Sequence, residues 1–508
     1  MALVRTYNTI VTPNQEVIKI GPDSILYETV NSRENTDSGT VSFQLQNKGE
    51  ECLLDAQVYL EVPITITKQL ANGNADNFVA KDEIAFHEPL QLIKNVVFNY
   101  NGTSITAQPA VGGIVESVVF DNPDSVRSSN IGAIEDLGLY HLTESRYDTP
   151  RWQRIMDFKN LTGVGANTYT TTVFIPLQFP PFKTARNTKW FSKMSNMLPF
   201  VNNSELSLQF FNSVPNGAAI QVFDSATAAA PNVSIDTNVF TASFAAQKAK
   251  LHLRWYQLPM NMRLNDVYDI GGWTKDIIFP TGGNLEVNTN VANYTSSFLA
   301  RTQMKPDAII IYAEPNKDKG SNVAAAANVT YNNNKVKPGC LSTQNPLLSI
   351  KSLDITIDTV SGAFTTTVDN KYLRFLTRQN FNSKCGLSDI GFNNNKNFVW
   401  LSAEQISSLT KIPAGVWSNS TIQVTVNFHT YKPLNQPAGT AFAATNVEYT
   451  PYMLLYSSHQ TIRVTRDSSE VIRNGVTEAQ FAALMSGQSV SGASVNSSMG
   501  VQGYRSRL

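Results

Sequence analysis

Two sequence patterns occur twice in this chain, in the same order and at nearly the same distance. The stretch "DAQVYLEVP" begins at Asp55, and "DAIIIYAEP" begins at Asp307, 252 residues later. The stretch "PLQLIKNVVFNY" begins at Pro89, and "PLLSIKSLDITI" begins at Pro346, 257 residues later. Either match alone can arise by chance, but two matches with nearly equal offsets favour an internal duplication. We therefore predict two similar domains in one chain.

Short runs of alternating apolar and polar residues dominate both halves. In "STIQVTVNF" the apolar residues Ile422, Val424, Val426 and Phe428 fall on one face, and this period of two is typical of a half-buried strand. Clusters of Gly, Asn, Pro and Asp, which favour turns, separate the runs. The runs lie at 40–46, 55–67, 95–100, 170–179, 204–211, 249–258, 352–360, 420–431 and 450–458. About eight short strands with long loops in each half are typical of a sandwich or a jelly roll.

The apolar run at the start of the second copy could also be the first strand of a nucleotide-binding unit, but the loop after it does not fit. The run "AIIIYA" (308–313) is followed by a loop that offers only Gly320, whereas a phosphate-binding loop needs G-x-x-x-x-G-K-[ST] before a helix. Helical patterns are few: the strongest spans 476–488 and a second lies around 112–121. Strands and helices do not alternate regularly, which argues against a doubly wound α/β enzyme.

The spacing of the repeats sets the expected domain boundaries. We assign residues 1–260 to the first domain, 261–466 to the second, and 467–508 to a C-terminal helix and flexible arm. The stretch "AKLHLRWYQLP" closes the first half and "TPYMLLYSSHQ" closes the second only about 200 residues later, so the first half carries roughly 50 extra residues. We place this extra length in an insertion at about 107–168, which is rich in charged and aromatic residues.

Composition narrows the class of protein. Of 508 residues only 16% are charged, and 40 basic residues balance 40 acidic ones, which argues against sequence-specific nucleic-acid binding. A near-neutral chain also tends to associate. The N-terminal "MALVRTYNTIV" lacks the apolar core of a signal peptide, and no apolar run is long enough for a transmembrane helix. Three widely spaced cysteines, Cys52, Cys340 and Cys385, fit a reducing compartment.

Motifs for catalysis or metal binding are missing from the sequence. His87-Glu88 is followed by Pro89, which would break the helix of an H-E-x-x-H zinc site. The stretch "GLSDIG" (386–391) carries Ile390 where a G-x-S-x-G motif needs its last glycine. We therefore predict no catalytic, cofactor-binding or metal-binding residues, and core or interface positions for His252 and His429. The five histidines are scattered, at His87, His141, His252, His429 and His459.

The order and texture of these segments resemble the double jelly-roll major capsid proteins of tailless icosahedral DNA viruses. The resemblance is greatest to those of virophages, polinton-like viruses and adintoviruses, and more distant to adenovirus hexon. It covers roughly residues 20–466 without a short diagnostic motif. The stretches that carry it are "LLDAQVYLEVPI", "YTTTVFIPLQFPPF", "SELSLQFF", "LPMNMRLNDVYDIGGW", "MKPDAIIIYAEPNKD" and "NVEYTPYMLLYSS".

This resemblance implies an all-β chain of two tandem eight-stranded jelly-roll barrels with long loops and few short helices. It implies a homotrimer that forms a pseudo-hexameric capsomer, because each subunit contributes two barrels. The expected partners are neighbouring capsomers, penton proteins and minor capsid proteins, and the expected location is the virion after synthesis in the host cytoplasm. It implies a structural protein and not an enzyme.

A second class of function fits the same β pattern. Tandem β-sandwich modules also occur in carbohydrate-binding proteins and glycosidases, although a glycosidase needs two carboxylates roughly 5–9.5 Å apart. A lectin or glycosidase is usually secreted, whereas the sequence shows no signal peptide.

Two segments outside the repeats carry their own predictions. Aromatic residues in the insertion favour packing across a subunit boundary or on the outer surface. These are Tyr140, Tyr147, Trp152 and Phe158. The C-terminal segment has an apolar helical face near 476–485 followed by a small, polar tail. We predict an arm that becomes ordered against a neighbouring capsomer, a minor capsid protein or an inner membrane, with a disordered tail as the alternative.

Overall fold

The computed structural model describes segments of the chain between residues 8 and 473. They are residues 8–11, 17–20, 22–33, 40–49, 51–70, 74–75, 77, 83–86, 93–111, 154–157, 166–177, 179–182, 197–210, 214–215, 220–223, 238–244, 248–259, 263–287, 291–302, 306–315, 348–359, 362–380, 398–410, 420–430 and 447–473. No helix within them has the length and apolar character needed to cross a membrane.

The named secondary-structure elements in the described part of the first half are strands, apart from one 3-10 turn at Pro22–Ser24. The strands are β1 (Asn8–Val11), β2 (Val17–Ile20), β3 (Ile25–Asn31), β4 (Thr40–Leu45), β5 (Cys52–Asp55), β6 (Tyr59–Leu70), β7 (Glu83–Phe86), β8 (Ile93–Tyr100), β9 (Thr103–Ala107), β10 (Arg154–Asp157), β11 (Thr168–Pro176), β12 (Met197–Leu198), β13 (Ser204–Phe210), β14 (Val214–Pro215), β15 (Ile220–Phe223), β16 (Asn238–Phe244) and β17 (Lys250–Gln257).

The second half adds ten strands and two helices among the described residues. They are β18 (Val267–Ile278), β19 (Leu285–Val287), β20 (Asn293–Thr302), β21 (Ala308–Pro315), β22 (Leu348–Thr359), β23 (Gly362–Asp369), α1 (Asn370–Asn380), β24 (Phe398–Ser402), α2 (Ala403–Thr410), β25 (Ser420–Thr430), β26 (Val447–Thr465) and β27 (Ser469–Arg473).

The two halves have the same strand topology. In the first, β3-β17-β6-β11 form one antiparallel sheet and β4-β13-β8-β9 the other. In the second, the corresponding sheets are β18-β26-β21-β24 and β20-β25-β22-β23. Counting these eight strands along the chain, each half joins the first, eighth, third and sixth strands in one sheet and the second, seventh, fourth and fifth in the other. This is the jelly-roll order, so the predicted fold class is confirmed.

Smaller strands surround the first barrel. β5, β12, β14 and β16 extend its larger sheet, while β7, β10 and β15 form a separate three-stranded sheet and β1 pairs with β2. β10 lies within the predicted insertion, between the fifth and sixth strands of the barrel. All four aromatic residues named for that insertion lie outside the described residues, as do the predicted helices near 112–121 and 476–488.

Each half has its own core, built from the inward faces of its two sheets. In β25, Ile422, Val424, Val426 and Phe428 are all fully buried, as the alternation predicts. Burying an aliphatic or aromatic side chain of this size contributes about 1.5–3 kcal/mol to stability. The core of the first half follows the same rule, because the buried positions of β13 alternate along the strand.

The first core also receives side chains from strands of the second half. Tyr268 and Ile270 at the start of β18, and Ile462 and Val464 near the end of β26, belong to the cluster of the first half. β18 and β26 pair along most of their length. These two long strands therefore run from one core into the other.

The second duplicated pattern marks the same structural feature in both halves. Pairing of β8 with β13 skips Lys94, and pairing of β22 with β25 skips Lys351. The isoleucines that precede them, Ile93 and Ile350, are buried in their cores. The shared "IK" therefore forms a β-bulge at the start of the fourth strand of each barrel.

The first duplicated pattern is equivalent at the level of the strand but not of the residue. Both copies lead into the third strand of their barrel, β6 and β21. The sequence offset of 252 aligns Leu60 with Tyr312. Leu60 belongs to the core cluster of the first half, whereas Tyr312 does not belong to that of the second; its neighbours Ile311 and Ala313 do. The structural match therefore differs from the sequence match by one residue.

Both helices begin at capping residues that the sequence contains. Asp369 accepts a hydrogen bond from the backbone N–H of Tyr372 at 2.9 Å, which caps α1. At α2 the side chain of Ser402 accepts from the N–H of Gln405 at 3.3 Å, and Gln405 accepts from the N–H of Ser402 at 3.0 Å. This reciprocal pair is a capping box.

Candidate assembly surfaces

A tight hairpin contacts both halves of the chain by hydrogen bonds to backbone carbonyl oxygens. Asn101 and Gly102 connect β8 to β9, with φ angles of 45° and 92° that Asn and Gly tolerate in such turns. The side chain of Asn101 donates to the carbonyl oxygens of Phe200 at 2.6 Å and Thr465 at 3.2 Å. Because Thr465 ends β26, this amide spans the first and second halves of the chain.

Ser469 completes the same junction from the side of the second half. Its N–H donates to the carbonyl of Asn101 at 3.1 Å, and its hydroxyl donates to the carbonyl of Tyr100. The hydroxyl of Thr103 donates in turn to the carbonyl of Ser469. The turn between β26 and β27 is therefore held against the β8–β9 hairpin by several hydrogen bonds.

A second junction lies at the exit of β9. Lys275 on β18 donates its ammonium to the carbonyl oxygens of Gln108 at 3.1 Å and Val111 at 2.7 Å. The first strand of the second barrel therefore contacts the segment that follows the fifth strand of the first barrel.

An arginine near the end of β26 adds electrostatic contacts to this boundary. The guanidinium of Arg466 lies 3.7 Å from a carboxylate oxygen of Glu51 and 5.8 Å from the ring centre of Phe200. Glu51 also accepts a hydrogen bond from the N–H of Leu264 at 2.5 Å. Since Arg466 is exposed, its contacts with Glu51 and Phe200 each contribute little.

The outer face of the larger first-half sheet carries an ionic cluster. Glu61 on β6 accepts a hydrogen bond from Nζ of Lys250 at 2.8 Å, and its other carboxylate oxygen lies 2.7 Å from Nε2 of His252. The Nδ1 of His252 lies 3.2 Å from the hydroxyl of Thr29 on β3. Burial alone would raise the pKa of Glu61, but the hydrogen bonds and charges of Lys250 and His252 outweigh it and lower that pKa.

A second cluster on the same face centres on a buried carboxylate. Asp55 is 2% exposed and accepts hydrogen bonds from Arg254 Nε at 2.7 Å and from the Tyr256 hydroxyl at 3.1 Å. Burial tends to lower the pKa of Arg254, but the charge and hydrogen bonds of Asp55 outweigh it and raise that pKa. Burial is also the main reason that the pKa of Tyr256 is raised, with Asp55 adding to it.

The equivalent sheets of the two halves differ in what lies on their outer faces. In the second half the outward residues Ile310, Leu454 and Tyr456 are at most 2% exposed. In the first half the outward residue Tyr27 is 78% exposed. The two central strands of the second-half sheet are thus covered on their outer face at these positions, whereas the edge strand β3 of the first-half sheet presents an aromatic residue to solvent.

A second exposed aromatic group lies on α1. Tyr372 and Phe375 are 47% and 54% exposed, and their rings stack with centres 6.1 Å apart at 16°. Exposed aromatic side chains of this kind are enriched at protein interfaces.

Of the histidines and cysteines, the structure describes the side chains of His252, His429 and Cys52. His252 takes part in the ionic cluster and not in the core, and His429 is on the outer face of β25, so the sequence placed both in strands but did not identify the partner Glu61. Cys52 is buried, and burial, followed by the charge of Glu51, raises the pKa of its thiol. Among the described residues no group of three or more His, Cys, Asp or Glu is arranged to hold a metal. His87, His141, Cys340 and Cys385 lie outside these residues.

The sequence matches no protein-family model and no curated protein. The fold, however, is similar to that of solved viral proteins. A chain of the Sputnik virophage, determined by cryo-EM, matches with a TM-score of 0.62 and 14% identity over 97% of this chain and 95% of that one. The mavirus major capsid protein matches with a TM-score of 0.58 and 13% identity over 92% and 93%. The predicted resemblance is confirmed at the level of the fold, and the chain therefore has the double jelly-roll fold of virophage capsid proteins.

Proposed function

We propose that this chain is the major capsid protein of an icosahedral DNA virus and is located in the virion. The observation that supports this most strongly is that the fold match spans both jelly rolls together, over 97% of this chain and 95% of the Sputnik chain. A match to one barrel alone would be weaker support, since single jelly rolls serve many functions. Synthesis in the host cytoplasm belongs to the same proposal.

In this proposal three copies form a capsomer with a pseudo-hexagonal outline, because each copy contributes two barrels of the same topology. Neighbouring capsomers, penton proteins and minor capsid proteins are the expected partners. The boundary near 260 would then separate the two barrels of a subunit, and the boundary near 466 would separate the second barrel from the C-terminal helix and arm. The insertion at 107–168 would pack across a subunit boundary or form part of the outer surface.

The role is structural and not enzymatic in this proposal. Charged residues on the outer sheet faces are engaged with one another, as Glu61 is with Lys250 and His252. Such pairs hold a surface in shape without requiring a substrate. The C-terminal segment would act as an arm that contacts a neighbouring capsomer, a minor capsid protein or an inner membrane.

Light scattering on the recombinant chain tests the assembly directly. The expected mass is three times 55.9 kDa, and electron microscopy of concentrated protein should give hexagonal arrays. A stable monomer at micromolar concentration that binds a defined glycan on an array would instead support the carbohydrate-binding alternative. Truncation after Arg473, which keeps β27 and the contacts of Ser469, should leave the trimer intact and prevent particle assembly, and normal particles from the truncated chain would contradict the arm.

A further inference from the structure

The two halves meet inside the chain through parts that are not equivalent. Lys275, on the first strand of the second barrel, contacts Gln108 and Val111 after the fifth strand of the first barrel. The reciprocal surfaces are the first strand of the first barrel, β3, and the segment after the fifth strand of the second barrel, β23. Because the barrels share one topology, these two surfaces can be located residue by residue.

The third and eighth strands of each barrel show which residue of β3 is equivalent to Lys275 of β18. In the first barrel, Leu60 of the third strand pairs with Leu251 of the eighth strand, and in the second barrel Ile311 pairs in the same way with Met453. All four side chains lie in the core of their own barrel. The offset between Leu60 and Ile311 is 251, one less than that of the duplicated sequence. We therefore treat these two pairs as equivalent.

This alignment gives Tyr27 the position of Lys275. Three residues farther along the eighth strands lie Arg254 and Tyr456. β3 places Tyr27 opposite Arg254, and β18 places Lys275 opposite Tyr456. Tyr27, which is 78% exposed, thus occupies the site on the first barrel from which Lys275 makes its contact on the second.

The β-bulges at Lys94 and Lys351 show which residues are equivalent in the segments that follow the fifth strands, β9 and β23. Two residues after its bulge, β8 places Val96 opposite Ala107, and two residues after its bulge, β22 places Leu353 opposite Val368. Ala107 and Val368 are therefore equivalent positions on the fifth strands.

Counting onward from these positions locates the counterpart of the Lys275 contact. Gln108 corresponds to Asp369, and Val111 corresponds to Tyr372. Both segments turn back onto the bulge: the N–H of Ala110 donates to the carbonyl of Ile93 at 3.0 Å, just as the Asn370 side chain donates to the carbonyl of Ile350. The exposed pair of Tyr372 and Phe375 begins at this point.

We propose that Tyr27 of one copy packs against the first two turns of α1 in a second copy, on the stacked rings of Tyr372 and Phe375. This contact repeats between chains the one that Lys275 makes within a chain, and it rests on the proposed capsomer. Aromatic residues suit it, since Tyr is enriched among the side chains that dominate interface energies.

The contact is head-to-tail, because Tyr27 lies on the first barrel and its partners lie on the second. Interfaces of this heterologous kind close into rings when the rotation per copy allows. Each copy then alternates an internal barrel contact with an external one.

Substitution at Tyr27 tests the contact. Wild-type protein should have three times the mass of the 55.9 kDa chain, whereas Tyr27→Arg should be monomeric at micromolar concentration with an unchanged circular dichroism spectrum and melting temperature. Tyr27→Phe should stay trimeric. The matched control is Leu299→Arg, which changes a side chain that is 54% exposed on the outer face of β20 and should leave the trimer intact.

A mixing experiment tests the head-to-tail arrangement. Tyr27→Arg retains its α1 surface, and a Tyr372→Arg, Phe375→Arg double variant retains Tyr27. Each should be monomeric alone, but an equimolar mixture should form a dimer of twice 55.9 kDa, because only one of the two possible contacts is intact. A mixture that stays monomeric would overturn the pairing of these surfaces.

Failure of this inference can be told from failure of the proposed function. If Tyr27→Arg remains trimeric, the contact is wrong while the capsomer stands. If the wild-type chain remains monomeric, the capsomer is wrong and the contact with it. If Leu299→Arg dissociates the trimer and Tyr27→Arg does not, the interface lies on the other sheet.

Discussion

Asn101 donates its side-chain amide to the carbonyl oxygen of Thr465 at 3.2 Å, across 364 positions of sequence. The same amide donates to the carbonyl of Phe200 at 2.6 Å, so one side chain ties the β8–β9 hairpin to both halves of the chain. Asn also tolerates the φ of 45° that this position requires. A single residue thus satisfies a backbone constraint and an interdomain contact.

Replacing Asn101 should weaken the junction. Asn101→Ala leaves the carbonyls of Phe200 and Thr465 without this donor and puts Ala, which tolerates positive φ less well than Asn, at a φ of 45°, so we expect a loss of roughly 1–3 kcal/mol in the free energy of unfolding. Asn101→Gly loses the same hydrogen bonds but accepts the backbone angle, and it should be less destabilised. Urea denaturation of both variants measures this, and equal stability of Asn101→Ala and wild type would contradict it.

The buried carboxylate of Asp55 should depend on its arginine. Arg254→Met removes the guanidinium while Asp55 remains almost fully buried, and breaking such a pair costs roughly 3–5 kcal/mol. Because Arg254 is itself one-third exposed, we expect a loss at the lower end of that range. The control is Arg463→Met, whose partner Asp269 is 36% exposed and whose loss should cost less than about 1 kcal/mol. Comparable losses in the two variants would argue against this distinction.

Glu61 should make stability depend on pH in acid. Its folded pKa is lowered, so between the folded pKa and the ordinary value of 4.5 the unfolded chain binds more protons. The contribution of Glu61 is therefore present above about pH 4.5 and is lost as the pH falls through the folded pKa. Denaturation midpoints measured from pH 3 to 7 should fall less steeply in Glu61→Gln than in wild type. Parallel profiles would remove Glu61 as a cause.

The core of the second half should be sensitive to cavities. Phe428→Ala removes a fully buried ring and should destabilise the chain by roughly 3–5 kcal/mol. The control is Leu299→Ala on β20, the strand that pairs with β25. The Leu299 side chain is 54% exposed, so this change should alter stability by less than about 0.5 kcal/mol. Thermal melts of both variants give the comparison, and a small effect of Phe428→Ala would mean that the site collapses readily.

The local pattern of the sequence determined the strands and their faces. Ile422, Val424, Val426 and Phe428 alternate with polar residues, and the structure buries all four because a pleated strand turns successive side chains to opposite faces. The duplicated "IK" likewise marks equivalent bulges at Lys94 and Lys351. Such features depend on a few consecutive residues, so a sequence carries them directly.

Only the tertiary structure decided which strands and side chains meet. Nothing local in β17 indicates that Arg254 lies opposite Tyr27, or that His252 reaches Glu61 across 191 positions of sequence. The Asn-Gly turn at Asn101 can be recognised as a hairpin from the sequence, but its contact with Thr465 cannot be predicted from it. Strand order and interdomain contacts arise from long-range packing, in which each strand has several chemically acceptable neighbours and the whole barrel selects one. The exposure of Tyr27 follows from the same selection, because that selection places β3 at the edge of its sheet, where the outward side chain of Tyr27 meets solvent.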